Sequence, residues 1–173
     1  MPYETERLRL VPYAAEHFLA LIDGVEKFHE SFGFPAADGL REFIASEDVS
    51  EEFLTMLRSS TGENPWHFGF AIIDKGTECA IGNAGFKGPP DDEGVVEIAY
   101  GVVPDFEGKG FATEAAGQLV CYAADDSSVR LIRAHTLPEE NASTRVLTKN
   151  GFKKIGVVED PEDGTVWCWE RNP

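Results

Sequence analysis

Residues 66–103 constrain the fold more than any other stretch of the chain. Trp66, Phe68, Phe70 and Ile72 alternate with His67, Gly69, Ala71 and Ile73, the period-two pattern of a half-buried strand. The turn Asp74, Lys75, Gly76 leads to a second strand over 79–86, and a loop over 89–94 leads to a third over 95–103. Connections this short join antiparallel neighbours, so the three runs form an antiparallel meander.

The pattern changes after 103. Residues 104–110 read as a loop and 111–124 as a helix with Ala, Leu and Val on one face; 131–137 is a strand and 141–149 a helix. Two further strands, 152–158 and 165–169, flank a turn at 159–164. Before the meander, Leu8, Leu10 and Pro12 alternate as a short strand, and Phe18, Leu19, Leu21 and Ile22 recur at helical spacing within 14–22. Ser50, Glu51 and Glu52 ahead of Phe53, Leu54, Met56 and Leu57 open a capped helix that Gly62 and Pro65 end. The aromatic stretch Phe28, His29, Phe32, Phe34, punctuated by Gly33 and Pro35, has two readings: a helix packed on the core, or aromatics shaping a substrate pocket. The whole is an α/β (α+β) chain with about seven strands. With 173 residues there is room for one domain over 1–173.

Charge and composition narrow the function. A net charge of -16, from 15 Lys and Arg against 31 Asp and Glu, argues against a nucleic-acid partner, because phosphate binding needs clustered cations. An acidic surface serves solubility and is also compatible with an amine-bearing substrate. Cys79, Cys121 and Cys168 are odd in number and far apart, which suits a reduced compartment, and they read as packing residues. His17, His29, His67 and His135 form no zinc-binding spacing, so no metal is expected. Glu4, Glu6, Arg7 and Arg9 stand where a signal peptide needs apolar residues, and no run reaches transmembrane length; the expected location is cytoplasmic, with no membrane partner.

The segment most informative about chemistry is Val102, Val103, Pro104, Asp105, Phe106, Glu107, Gly108, Lys109, Gly110, Phe111, Ala112, Thr113. A strand runs into a glycine loop, and the loop opens a helix. Gly108 and Gly110 permit close backbone approach, and the unpaired N–H groups of a helix start face the same point as the positive end of its dipole. A pyrophosphate fits such a site. An ordinary helix start also has this pattern; the preceding strand, the small Ala112, Ala115 and Ala116, and Lys109 in a cation-poor chain favour the anion site. Neither the P-loop pattern nor a full dinucleotide-binding glycine fingerprint is present.

In these residues the chain resembles the GNAT acetyltransferase superfamily, and within it the Rim-type branch of ribosomal-protein N-terminal acetyltransferases. The likeness runs in order through Glu4, Thr5, Glu6, Arg7, Leu8, Arg9, Leu10; Ile81, Gly82, Asn83, Ala84, Gly85; Glu97, Ile98, Ala99, Tyr100; Glu107 to Ala115; and Asn141, Ser143, Lys149, Gly151, Phe152. It is weakest over 23–65. The resemblance implies a mixed, mostly antiparallel sheet splayed between its fourth and fifth strands and flanked by helices, with acetyl-CoA in the gap. It implies donor contacts from Val102, Val103, Glu107, Gly108, Lys109, Gly110, Phe111, Ala112, Thr113 and Asn141, and an acceptor that is a small-molecule amine or a peptide N-terminus. A homodimer is compatible with it. The chain departs from the family in having Glu107 where Gln or Arg is usual, and in lacking a tyrosine over Val146, Leu147 and Thr148, where many members carry the general acid.

Acetyl transfer to an amine needs a neutral amine, a polarised thioester carbonyl and a proton for the leaving thiolate. Glu97, on the strand before the glycine loop, is the candidate base, or else a solvated strand carboxylate. Backbone N–H groups near Val102 are the candidates for the carbonyl oxygen, as the resemblance implies. Ser143 is the nearest hydroxyl for the leaving sulfur, and Asn141 is placed to bond the pantetheine; both residue types also favour helix caps. The same fold without a general acid would be a catalytically silent acyl-CoA-binding regulatory module.

Overall fold

The computed structural model describes residues 3–45 and 49–173. The chain opens with β1 (Tyr3–Glu4) and β2 (Leu8–Pro12), then runs through α1 (Ala15–Asp23), α2 (Val25–Phe32), α3 (Leu40–Ile44), α4 (Glu51–Ser59) and a single turn, α5 (Pro65–Phe68). The meander is β3 (Phe70–Asp74), β4 (Cys79–Phe86) and β5 (Val95–Val102). A 3-10 turn at Pro104–Phe106 then leads to α6 (Phe111–Ala124), β6 (Leu131–Thr136), α7 (Ala142–Lys149), β7 (Lys153–Asp160) and β8 (Gly164–Arg171). Among the described residues eight strands form one sheet in the order β1-β2-β3-β4-β5-β6-β8-β7, antiparallel except for β5 beside β6.

Several sequence expectations meet their elements closely. Helix α6 has the bounds that its periodicity gives, and Ser50 Oγ accepts the Phe53 N–H at 3.1 Å to cap α4. The aromatic stretch after residue 23 is a packed helix: Phe28 is fully buried in α2 and stacks on Phe32 at 5.1 Å.

Other expectations are corrected. The first meander strand does not begin at Trp66, because Pro65 occupies the first turn of α5 and Gly69, at φ 68°, reverses the chain before β3. Nor is β3 half-buried: all five of its residues are buried, since helices cover both faces of the sheet centre. The sheet has eight strands rather than about seven because β1, two residues long, is too short to show a period. Helix α3, of five residues, is likewise too short.

Two hydrophobic clusters lie on opposite faces of the sheet. Val96, Ile98 and Val102 pack with Ala115, Leu119 and Ala123 of α6, and small residues on that helix let its backbone close on the strands. Ala71, Ile73, Ala80 and Val103 pack with Phe18, Leu21, Phe28 and Leu57 on the other side. Each fully buried Leu or Phe contributes about 1.5–3 kcal/mol relative to exposure.

What positions the site is a fork in the sheet. β5 and β6 pair only from Val95 opposite Leu131 to Glu97 opposite Arg133. Beyond Glu97, β5 stays on β4 while β6 stays on β8. Lys87 N–H donates to the Glu97 carbonyl and Val103 N–H to the Ile81 carbonyl. The alternation of an antiparallel ladder therefore turns the main-chain groups of Ile98, Tyr100 and Val102 toward the fork.

Candidate active site

A cleft of about 500 Å³ fills the fork, walled by β5 on one side, the start of α6 at its mouth and α7 opposite. Gly108 and Gly110 have φ of 73° and 84°, and Gly110 is the N-cap of α6 with no side chain satisfying the helix start. The first intrahelical bond runs from Glu114 N–H to the Gly110 carbonyl, which leaves the N–H groups of Phe111, Ala112 and Thr113 without acceptors among the described residues. They sit on the wall of the cleft.

The opening strand explains why this loop holds its shape. Arg7 Nε pairs with Glu114 Oε1 at 2.6 Å, Arg7 Nη1 donates to the Lys109 carbonyl at 2.9 Å, and the guanidinium lies 4.4 Å over the Phe111 ring. Thr5 Oγ1 donates to the other Glu114 oxygen at 2.8 Å. Glu114 would place negative charge at a helix start meant for an anion, and this pairing neutralises it. Across the cleft, Arg145 and Lys149 lie one helical turn apart on α7 and line the wall. A cradle of open N–H groups with two facing cations is a fit for a pyrophosphate-bearing donor.

Deeper in the cleft, the Tyr100 hydroxyl lies 3.2 Å from Ser143 Oγ and 3.3 Å from the Ser143 carbonyl. Burial pushes the Tyr100 phenol up, against a smaller downward pull from the Ser143 bond, so it stays protonated at neutral pH. A tyrosine that the α7 sequence lacks thus arrives from β5. Its place in the pattern Glu97, Ile98, Ala99, Tyr100 was the available signal, but only the crossing of β5 beside α7 joins it to Ser143.

Glu97 lies on the opposite face of β5, at the closed end of the fork. His135 Nδ1 is 2.7 Å and Lys87 Nζ 2.9 Å from Glu97, and both contact Oε1. A carboxylate only accepts, so His135 Nδ1 carries the proton. Burial pulls the Lys87 ammonium down, but the bond and charge of Glu97 outweigh it and hold Lys87 charged. Oε2 has no partner among the described residues and is the oxygen left for a water or an amine.

The structure divides the sequence candidates. Val102, Glu107, Gly108, Gly110, Phe111, Ala112, Thr113 and Ser143 line the cleft. Val103 does not: it is fully buried in the cluster on the other face and its N–H is spent on Ile81. Lys109 is not on the cleft wall, and its ammonium lies 5.4 Å from the ring of Phe106, which is. Asn141 caps α7, with Oδ1 accepting the Thr144 N–H at 3.0 Å, and is not on the wall. Tyr100, Arg145 and Lys149 also line the cleft, and Arg7 and Glu114 brace its glycine loop; none of the five was among the sequence candidates. Among the described residues no group of His, Cys, Asp or Glu is placed to hold a metal, and no helix is long and apolar enough to cross a membrane.

A forked sheet with an open helix start at its mouth frames the site, and comparison with known proteins gives its family. The family model for the acetyltransferase (GNAT) domain matches residues 7–153, and the chain belongs to that family. An uncharacterized N-acetyltransferase, p20, of Bacillus licheniformis is 36% identical over 93 residues, which cover 54% of this chain and 52% of p20. The chain spans between 50% and 64% of the length of the curated relatives it matches. A GNAT-family acetyltransferase from Bacillus anthracis superposes with a TM-score of 0.67 over 99% of this chain and 98% of its own, at 20% identity. RimL, a ribosomal alpha-N-protein acetyltransferase solved with coenzyme A, gives 0.66 over 97% and 95%, at 17% identity. At such identities these two establish the fold.

Proposed function

We infer that the chain is an acetyl-CoA-dependent N-acetyltransferase acting on a primary amine, a small molecule or a peptide N-terminus. The observation that carries this is the open start of α6 at the mouth of the fork, with the Tyr100–Ser143 pair deeper in the same cleft. RimL, which shares the fold, was solved with coenzyme A, which supports the choice of donor.

Acetyl-CoA supplies an activated acetyl group on a sulfur leaving group. The amine nitrogen bonds to the carbonyl carbon as the carbon–sulfur bond breaks; one proton leaves the nitrogen and one reaches the sulfur. N–H groups of Phe111 to Thr113 bind the pyrophosphate, with Arg145 and Lys149 facing it. Main-chain N–H groups of Tyr100 and Val102 point into the fork where a carbonyl oxygen gains charge. Glu97 Oε2, which is not on the cleft wall, takes the amine proton through water. Ser143, hydrogen-bonded to a protonated Tyr100, delivers a proton to the sulfur. Glu107, exposed on the rim, leaves the backbone to serve the donor.

Coenzyme A at about a hundredfold over its dissociation constant should raise Tm by about 5–10 °C, since binding to the native state alone adds roughly 2.7 kcal/mol. Differential scanning fluorimetry checks this, and no shift at millimolar concentration would remove the donor site. One feature favours a catalytically silent acyl-CoA-binding module: Oε1 of Glu97 is already taken by two partners. Release of coenzyme A measured over a panel of amines separates the two readings.

Ser143→Ala should slow the chemical step by less than about tenfold, because a thiolate with a pKa near 8.5 departs with little acid assistance. Stability should barely change, since Asn141 and not Ser143 caps α7. Single-turnover rates and Tm measured together check both parts; a thousandfold loss would make Ser143 indispensable to the chemistry.

A further inference from the structure

A second cavity, of about 320 Å³, lies on the face of the sheet opposite α6. Its walls are aromatic: Phe18 from α1, Phe43 from α3, Phe53 from α4 and Phe68 from α5, over a floor of Asn83 on β4 and Ala99 on β5. It adjoins the donor cleft. Phe43 lines both cavities, and Ala99 lies two residues along β5 from Gly101 of the donor cleft, about 7 Å on the same face. The Phe43 ring lies so close over Gly101 that a Cβ there would stand 2.5 Å from Phe43 Cζ. Phe43 is nevertheless 48% exposed, which suits a partition that a ligand can move.

The amide of Asn83 is the unusual feature of this cavity. Its Oδ1 is buried and has no hydrogen-bond partner among the described residues. A buried acceptor left unpaired is costly unless something fills it. Asn83 is opposite Gly101 in the ladder, so its amide stands at the border between the two cavities. Oδ1 is closed off from solvent, so a donor N–H arriving beside the thioester end of the cleft would satisfy it once the Phe43 ring, which overlies Gly101 opposite Asn83, moves aside.

We propose that this cavity binds the acceptor, and that the acceptor is an arylalkylamine: a primary amine on one aromatic body, with its N–H donated to Asn83 Oδ1. The proposal rests on the acyl-transfer reading above and gives that site its substrate class. Rings of Phe18, Phe43, Phe53 and Phe68 take the aromatic body by offset or edge contacts. Although Asp and Glu outnumber Lys and Arg by 31 to 15, no carboxylate lines the cavity among the described residues. A polyamine, with several charges to place, therefore finds no counter-ion there. Desolvation by the phenylalanines disfavours the ammonium form, and the neutral amine is the nucleophile that transfer requires.

The test uses the full chain saturated with coenzyme A for calorimetric titration, and acetyl-CoA for turnover, with 2-phenylethylamine, spermidine, and two peptides beginning with Phe and with Ala. The expected result is binding of 2-phenylethylamine and a kcat/KM at least about tenfold above spermidine, from the aromatic burial it alone supplies. Asn83→Ala should raise KM for 2-phenylethylamine about tenfold, the loss of one hydrogen bond, with the coenzyme A thermal shift unchanged. Phe53→Ala, at a half-buried ring, gives a second variant should the β4 change unfold the sheet. Equal turnover of the Phe peptide and the free amine would assign the aromatic body to a peptide's first residue. Turnover of spermidine or the Ala peptide without 2-phenylethylamine would overturn the proposal and leave the transferase standing. Binding of 2-phenylethylamine with no amine acetylated would keep the cavity and remove the transfer. Failure to bind either coenzyme A or any amine would remove both.

Discussion

Glu97→Gln is expected to lower turnover about a hundredfold or more, the usual contribution of a positioned general base, while leaving coenzyme A affinity nearly unchanged. The structure makes this substitution clean. Gln keeps the shape, and its amide can still accept at Oε1 from Lys87 and His135, now 2.9 and 2.7 Å from the carboxylate. What is lost is the basic lone pair at Oε2. Because an alkylammonium ionises near pH 10, like lysine, the variant's rate should climb with pH as free amine accumulates, approaching the wild type at the alkaline end. The pH profile of kcat/KM beside a coenzyme A titration is the measurement. A Gln variant with wild-type turnover at neutral pH would make Glu97 a strut for Lys87 and His135, and would favour a base elsewhere.

Gly110→Val should abolish coenzyme A stabilisation at concentrations that saturate the wild type, a loss of affinity of at least about a hundredfold if two hydrogen bonds to charged phosphate go. Two causes add. At φ 84° a β-branched residue is strained by roughly 1–2 kcal/mol, and the new Cβ would stand 3.1 Å from Arg7 Nη2. Arg7 would have to give by a few tenths of an ångström, which strains its bonds to Glu114 and the Lys109 carbonyl. Gly108→Ala is the control: φ is also positive, at 73°, but a Cβ there meets nothing within 4 Å. It should weaken binding much less. Equal effects from the two changes would assign the loss to loop strain alone, and unaltered binding in Gly110→Val would move the donor site away from α6.

The two variants probe features of different legibility. Glycines 108 and 110 between a strand and an alanine-rich helix mark a candidate anion site in the local sequence, because the conformations involved span only a few consecutive residues. The proposed base is another matter. Glu97 is on a recognisable strand, yet its setting is made by Lys87 at the end of the preceding strand and His135 on β6, 38 residues away.

Local periodicity and turn chemistry gave the three-strand meander apart from its first residues, the bounds of α6, the Ser50 cap and the order of the elements, since each depends on neighbours within about one helical turn or one hairpin. The short β1 and α3 and the start of β3 escaped it, having too few residues for a period or a proline and glycine that rewrote the pattern. Only the tertiary structure decided that Val103 turns to the far face, that Arg7 clamps a loop 102 residues away and that Tyr100 meets Ser143 across the fork. The last of these follows from where β5 and β6 part, and strand divergence is set by how whole layers pack rather than by any residue's own preference.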